Sequence, residues 1–515
     1  MVYLGNLLSK TLVIGIIFLF VLMSIIPSMA VDIVKINNSS GKSSDDDIDW
    51  WPMFRHDPQH SGYSTSITPD NLRVLWTYKT SEHILRTSAV VADERVYFGS
   101  FDGRLFCLNI ENGSLIWKFF TQGSIAYPSP AIAYGNVYIA SYGKYIYCLN
   151  AYNGSVKWKS SLQSSVSSSI TVANEKIFIG GGWNKVFCFN AFNGSVIWEY
   201  HTGNTVISTP AVVDGKVYVG SFDCKIHCFN EENGSRIWTY AISDMILSSP
   251  SVVNGKVYIG SDNRKIYCLN ANNGSKIWSY TTGGEISSSP AIADGKVYVG
   301  SSDKNVYCLD ADTGDKIWNY TTNGAIESSP AIADGKVYVG SNDRNLYCLD
   351  ADIGDKFCNY TTEAEVVSSP AVIDGKVFVG SIDNKLYCFG SLKPNIPVMD
   401  GPTSGKPGQE YEYTFNSTDP DGDDVKYLIN WGDNTTYETG FNVSGTDVIV
   451  KHAWSEDGTY NITAKAQDIH GAKGPEGTLK VNIPRTRATI YSLFKLFFDR
   501  FPFLEVFLRA MNLLR

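Results

Sequence analysis

Residues 289–320 read SPAIADGKVYVGSSDKNVYCLDADTGDKIWNY, and the same run recurs with small changes from about residue 88 to residue 390. Its tryptophan sets the ruler. Trp76, Trp117, Trp158, Trp198, Trp238, Trp278 and Trp318 lie 41, 41, 40, 40, 40 and 40 residues apart, and the next position, 40 further on, is Cys358. Each copy reads as four short strands: SPAIA, KVYVG, NVYCLDA and KIWNY. The Val and Tyr of KVYVG alternate with period 2, and Asp-Gly or Asn-Gly turns (Asp294-Gly295, Asn254-Gly255) favour tight hairpins. Self-similarity at 40–45 residues with several strands per unit points to a β-propeller. Eight units can be counted, the last of which (369–390) stops before its fourth strand. Residues 74–78, VLWTY, would supply that strand from the front and leave no open sheet edge. The expected fold is therefore all-β: an eight-bladed propeller over residues 50–391, closed by an N-terminal strand.

The pattern Cys308-x-Asp310-x3-Gly314-x3-Trp318 resembles the tryptophan-docking motif of PQQ-like (pyrroloquinoline-quinone-type) repeat propellers, with Cys where that family usually has Ala. The string WPMFRHDPQHSGY, residues 51–63, resembles the lead-in of the same family. The resemblance covers roughly residues 50–391 and implies that the seven repeat tryptophans are structural docking residues. It leaves function open, because the family holds both quinone-dependent dehydrogenases and non-catalytic scaffolds such as the propeller lipoprotein of bacterial outer-membrane barrel assembly.

With 515 residues, 43% hydrophobic and 18% charged, the chain is long enough for more than one globular domain. A net charge of −9 without a basic stripe in its body argues against a nucleic-acid partner. Lys10 precedes an uncharged run, residues 11–30, that ends Pro27-Ser28-Met29-Ala30. This fits a secretory signal over residues 1–30, an uncleaved anchor being the competing reading. Residues 31–49 read as a flexible linker. The protein is thus expected outside the cell or on its surface, associated with the membrane. Eight cysteines (Cys107, Cys148, Cys188, Cys228, Cys268, Cys308, Cys348, Cys388) share one repeat position facing the next blade. Facing sheets lie too far apart for disulfides, so they are expected as buried free thiols. Cys224 and Cys358, on different blades, do not make a pair.

Loops of a four-stranded antiparallel blade alternate between two faces, so the sequence can be sorted by face. One face carries Asn-Gly-Ser turns, whose Asn112, Asn153, Asn193, Asn233 and Asn273 are glycosylation sequons as well as good turn residues. On the other, Phe101, Tyr142, Trp183 (one residue along) and Phe222 head consecutive blades, where later blades place Asp262, Ser302, Asn342 and Ile382. Arg86 and Tyr127 come from connections on that same face. An aromatic arc with a polar rim is expected to bind a partner, an extracellular protein or a glycan.

A quinoprotein dehydrogenase is the sharpest enzyme alternative. By resemblance it needs Ca2+ held by Glu, Asn and Asp in the channel, a catalytic Asp, a Trp floor and often a disulfide of adjacent cysteines. No two cysteines here are adjacent, and Ser168, Ser208, Ser248, Ser288, Ser328 and Ser368 fill one inner slot. Arg86 is read as breaking that slot with charge, with Glu327 beside it. No catalytic residue is therefore assigned, and neither PQQ nor another cofactor is expected in the propeller.

After residue 390 the repeat stops. Residues 394–484 show regularly spaced strands, and Trp431-Gly432-Asp433 with His452-Ala453-Trp454 resembles a PKD-like (Ig-like) domain. By that likeness Trp431 is core and His452 a packed residue. Asp419, Asp421, Asp423 and Asp424 crowd one turn, which reads either as a solvated turn or as a set of oxygen ligands for Ca2+. Residues 485–515 are aromatic-rich and net positive, with charges too frequent for a spanning helix, and read as an amphipathic tail touching a membrane surface. The expected function is a non-catalytic binding or scaffolding protein, with a carbohydrate-binding surface protein and the quinoprotein oxidoreductase as alternatives.

Overall fold

The computed structural model describes residues 49–162, 165–181 and 184–484, and every regular element among them is a strand. The expected signal (1–30), the linker up to residue 48, Trp183 and the tail (485–515) lie outside the described residues. No described segment is a helix long and apolar enough to cross a membrane.

Each copy of the repeat folds as an antiparallel sheet. In the first, Val90–Ala92, Arg95–Gly99, Arg104–Asn109 and Leu115–Phe120 lie side by side in chain order. The next six copies keep that order, and the seventh gains a short parallel strand, Tyr63–Ser64, on Ala331–Ala333. In the last copy Ala371–Ile373, Lys376–Gly380 and Lys385–Gly390 are completed by Arg73–Lys79, whose Trp76 faces Cys388. The two middle strands of a sheet are buried on both faces because neighbouring sheets cover them, which is why KVYVG and NVYCL are almost wholly apolar. The fourth strand meets solvent and buries chiefly its tryptophan.

The seams between sheets repeat one device. Trp117 Nε1 donates to Ala151 O of the next sheet at 3.0 Å, and the other six repeat tryptophans do the same at 2.8–3.1 Å. Each indole lies on the turn glycine of that sheet. At Gly154 a Cβ would stand 2.8 Å from the Trp117 ring, and φ is +71° besides. On the axis, the amide of Ser88 donates to Ser129 Oγ, and the pattern runs on through Ser169, Thr209, Ser249, Ser289, Ser329 and Ser369. Ser369 N–H then donates to Ser88 Oγ at 3.1 Å, which closes the circle.

One seam differs. Cys358 lies opposite Cys348, and all described cysteines are free thiols. The incoming segment fills the space a tryptophan would take. Thr68 bonds to Asp334, Lys336 reaches Thr68 Oγ1 (3.1 Å) and Asp70 (3.0 Å), and Leu72 packs into the core cluster beside Cys358.

The second domain is a sandwich. One sheet orders Val398–Asp400, Tyr411–Asn416 and Val448–His452; the other orders Thr436–Glu438, Val425–Asn430, Gly458–Asp468 and Gly477–Ile483. Tyr413, Phe415, Tyr427, Trp431 and Trp454 fill the space between them. His452 stacks on Trp431 with centroids 4.4 Å apart, and its Nε2 lies 2.8 Å from Asp433.

Candidate functional site

The axial channel is stoppered from one end. Residues 51–62 run around it, and the amides of Val91, Ile132, Val212, Val252, Ile292 and Ile332 donate to their carbonyls at 2.7–2.9 Å. The Ser-Pro steps of the repeat leave proline carbonyls pointing inward, where they need donors. Arg55 supplies two of these, to Pro290 O (2.7 Å) and to Pro330 O. His60 Nδ1 donates to Pro250 O at 3.0 Å, and the Thr171 hydroxyl donates to Pro210 O at 2.6 Å. Burial pulls the Arg55 guanidinium down to about 9, against the pull of Asp57, and pulls His60 down to about 4. Burial also opposes charge on His56, but Asp49 and Asp57 outweigh it and hold this imidazole up to about 9. Asp49, the last residue of the expected flexible linker, is thereby pinned, with Ser64 and Thr65 as further donors. The lead-in string was visible in the sequence only as a resemblance; its partners lie from 40 residues away (Trp51 to Val91) to 275 (Arg55 to Pro330).

Beyond the stopper the channel opens to solvent as a pocket lined by Phe54, Arg86, Tyr127 and Glu327 among others. Here the sequence reading needs a correction of one residue. Thr87, not Arg86, occupies the Ser168 slot: Gly99 N–H donates to Thr87 Oγ1 as Gly180 N–H does to Ser168 Oγ. Arg86 instead shares a slot with Tyr127, Ser167 and Glu327, and Arg86 and Glu327 form an ion pair within the cavity wall. Asn342 Nδ2 donates to the same carboxylate at 3.1 Å.

Around the mouth, the amides of Phe101, Tyr142, Phe222, Asp262, Ser302, Asn342 and Ile382 all bond to carbonyls of the adjoining connections, so these residues are equivalent. Phe101 is 42% exposed, and Phe222 is half-buried. Tyr142 packs edge-on against Tyr127 (6.4 Å), and the Arg86 guanidinium lies 5.6 Å from the Tyr127 ring centre. Arg86, Tyr127 and Tyr142 are thus brought together, whereas Phe101 and Phe222 make no ring contact with them. Sequence reasoning passed over an acidic arc beyond Phe222. Asp262 is pushed up to about 6, first by burial and then by Glu285 and Asp244, with Arg86 pulling the other way.

The five sequon asparagines are exposed on the opposite turns, each accepting from the serine amide two residues on. In the second domain Asp419, Asp421 and Asp423 converge, while Asp424 is exposed and lies outside their group.

Repeat sheets locked by tryptophans, followed by a sandwich, define a propeller of the PQQ-like repeat class. The chain belongs to the family described as outer membrane protein assembly factor BamB, matched over residues 61–165, 142–246, 223–330 and 303–392, and residues 392–483 match a PKD domain. Comparison with curated protein sequences gives no match. Among solved structures, BamB from Moraxella catarrhalis is 17% identical with a TM-score of 0.54, over 62% of this chain and 99% of that one. The quinohemoprotein alcohol dehydrogenase ADHIIG from Pseudomonas putida HK5 is 13% identical (TM-score 0.57; 67% and 83%). The quinohemoprotein alcohol dehydrogenase from Comamonas testosteroni is 14% identical (TM-score 0.58; 66% and 80%). At these identities the likeness is one of fold.

Proposed function

We propose that the chain is an exported, cell-surface binding or scaffolding protein: an eight-bladed propeller (residues 50–391), a PKD-like spacer (394–484) and a tail (485–515) that touches a membrane surface. The mouth of the channel is its binding surface. Phe101, Tyr142 and Phe222 offer apolar contact there, and Arg86 and Tyr127 the polar rim. The observation that carries this reading is how the channel is filled. Its stopper residues are spent on proline carbonyls and its two charges on each other, so the mouth is the surface left open to a partner. The spacer meets the propeller on the opposite face, where His470 abuts the turn at Gly375 and its Nδ1 donates to Thr68 O at 3.0 Å. The likeness to an outer-membrane assembly factor favours a protein over a glycan as the partner.

The likeness to quinohemoprotein dehydrogenases is what speaks for the oxidoreductase alternative. Pyrroloquinoline quinone with Ca2+ would need free carboxylates and a flat aromatic floor in this cavity. Glu327 is held by Arg86 and Asn342, while Tyr127, under the Arg86 guanidinium and edge-on to Tyr142, and Ser167, Ile207, Leu247, Ser287 and Val367 fill the other positions of its slot. These residues do not fit the group, and no catalytic step is derived through it.

The test is site-specific photo-crosslinking on intact cells, with the photoreactive residue at Phe101 or Phe222 and, on the far face, at Asn233. Crosslinks from the mouth alone support the reading; crosslinks only from Asn233 refute it. Calorimetric titration of PQQ with Ca2+ into the purified chain covers the enzyme alternative, which one saturable site per chain would revive.

A further inference from the structure

The seventh sheet is where the repeat's tryptophan is missing, and the residue in its place faces a second cysteine. Cys358, on strand Lys356–Thr361, is the register partner of Cys348 on Asn345–Asp350. In the other described sheets of the propeller the repeat cysteine has a tryptophan opposite it, as Cys308 has Trp318 and Cys388 has Trp76. Residues directly opposite in an antiparallel pair have Cα atoms about 4.5–5.5 Å apart, inside the roughly 4.4–6.8 Å that a disulfide spans. The bridges excluded from the sequence ran between sheets; this one lies within a sheet.

The two thiols differ as an attacking and a resolving sulfur must. Cys358 is half-buried, whereas Cys348 is fully enclosed. A hydrogen bond from the Cys348 thiol holds Cys358 below the ordinary thiol range against the effect of burial, and the Leu72 amide and Lys336 act in the same direction. The same hydrogen bond, together with burial, pushes Cys348 up. The thiolate is the nucleophile in exchange, so Cys358 attacks first. Cys224, the other half-buried cysteine, sits in a turn with no cysteine across from it. The strand that carries Cys358 also needs an anchor. The fourth strands of the other sheets are tied to the next sheet by an indole N–H, and Lys356–Thr361 has no indole.

We propose that Cys348 and Cys358 are a thiol/disulfide site: a disulfide-bearing oxidant converts them to a bridge that anchors the fourth strand of the seventh sheet, where the other sheets use tryptophan. The Cys358 thiolate attacks one sulfur of the oxidant, whose S–S bond breaks and releases one thiolate. Cys348 then gives its proton to that thiolate, and its sulfur attacks Cys358 Sγ, which forms the bridge and expels the second thiolate. Two protein thiols are oxidised and one disulfide is reduced to two thiols. Leu72 packs beside Cys358 immediately before the closing strand Arg73–Lys79, so the bridge firms the surface on which the ring is closed. This inference stands apart from the reading of the mouth.

The experiment incubates the purified full-length chain, folded and fully reduced, with glutathione disulfide. The reaction is quenched in acid, the chain is unfolded, the remaining thiols are trapped with N-ethylmaleimide, and trypsin is added. Lys356 lies between the two cysteines, so the bridge joins peptides 345–356 and 357–376. That linked pair is the expected product, and dithiothreitol should return it to two peptides. In Cys348→Ser the reaction should stop halfway, with glutathione retained on Cys358 as it is on Cys224 of the parent. Amides of residues 356–361 should exchange about tenfold more slowly in the bridged chain than in the reduced one, with a higher Tm. Should Cys348→Ser not fold, Cys358→Ser replaces it, and Cys348 should then take up no glutathione. Glutathione left on Cys358 of the parent, a bridge from Cys358 to any other cysteine, or both thiols still free in chain shown folded by circular dichroism overturns the inference. Equal exchange in the two forms overturns the anchoring role.

Discussion

Arg55 is the residue on which the stopper turns, and Arg55→Met measures it. The substitution keeps most of the side chain's length and removes both donors. Pro330 O then becomes a buried acceptor without a partner, at about 1–3 kcal/mol; Pro290 O retains the Ser251 hydroxyl at 2.5 Å and loses about 0.5–1.5 kcal/mol. Removing a buried guanidinium returns part of this, because burial already disfavours its charge. The net expectation is a loss of about 2–3 kcal/mol. Urea unfolding of the purified chain at pH 7 reads the global value. Amide exchange at Val91 and Ile332, whose N–H groups are held by stopper carbonyls, reads the local one. Arg236→Met, on an exposed strand position, serves as the control and should stay within about 0.5 kcal/mol. If Arg55→Met matches that control and exchange does not quicken, the stopper is not held as described.

Gly154→Ala should cost at least about 2 kcal/mol, since its Cβ meets the Trp117 ring; Gly135→Ala, with φ +67° and open space around it, should cost only about 1 kcal/mol, and the difference reports the seam. Cys358→Trp would restore the repeat motif yet lower the unfolding midpoint by about 1–3 kcal/mol, because Leu72 and its neighbours fill the space; a stabilised variant would refute that account. His60, depressed from 6.5 to about 4, takes up a proton on unfolding before it does so in the fold. Its contribution is intact above pH 6.5 and is lost as pH falls towards 4, by roughly 2 kcal/mol at pH 5, and His60→Gln should flatten that limb in urea titrations. His56 works in the opposite sense: held up to about 9, its contribution is full below pH 6.5 and is lost as pH rises through 9.

The features legible in the sequence were those written locally. Tryptophan spacing, Asp-Gly hairpins and alternating strands are properties of forty consecutive residues, and the sheets follow them. The Arg86 slot was misjudged because the link from tryptophan to inner slot is one residue longer in the first copy: Ser168 follows Trp158 by 10 positions, whereas Thr87 follows Trp76 by 11. The Ser88–Ser129 hydrogen bond, invisible in sequence, gives the true register. Arg55 could not be assigned at all, since its acceptors lie 235 and 275 residues away and are main-chain atoms that carry no signature of their own. Cys358 showed that a tryptophan was missing, but the occupant of the gap comes from the other end of the repeat array. In the second domain the acidic turn was plain, and the structure brings Asp419, Asp421 and Asp423 of it together.

The closing strand also sets an order of events during synthesis. Arg73–Lys79 is made before any repeat sheet, yet its neighbour Lys385–Gly390 is made last, and Thr80 reaches Asn384 across 304 residues. The stopper has the same difficulty, for its carbonyl partners are scattered along nearly the whole array. Closure over such a span is slow compared with hairpin formation. A nascent chain therefore carries an unpaired strand and an aromatic-rich lead-in for most of its elongation, and whatever factor meets it then would meet residues 51–79.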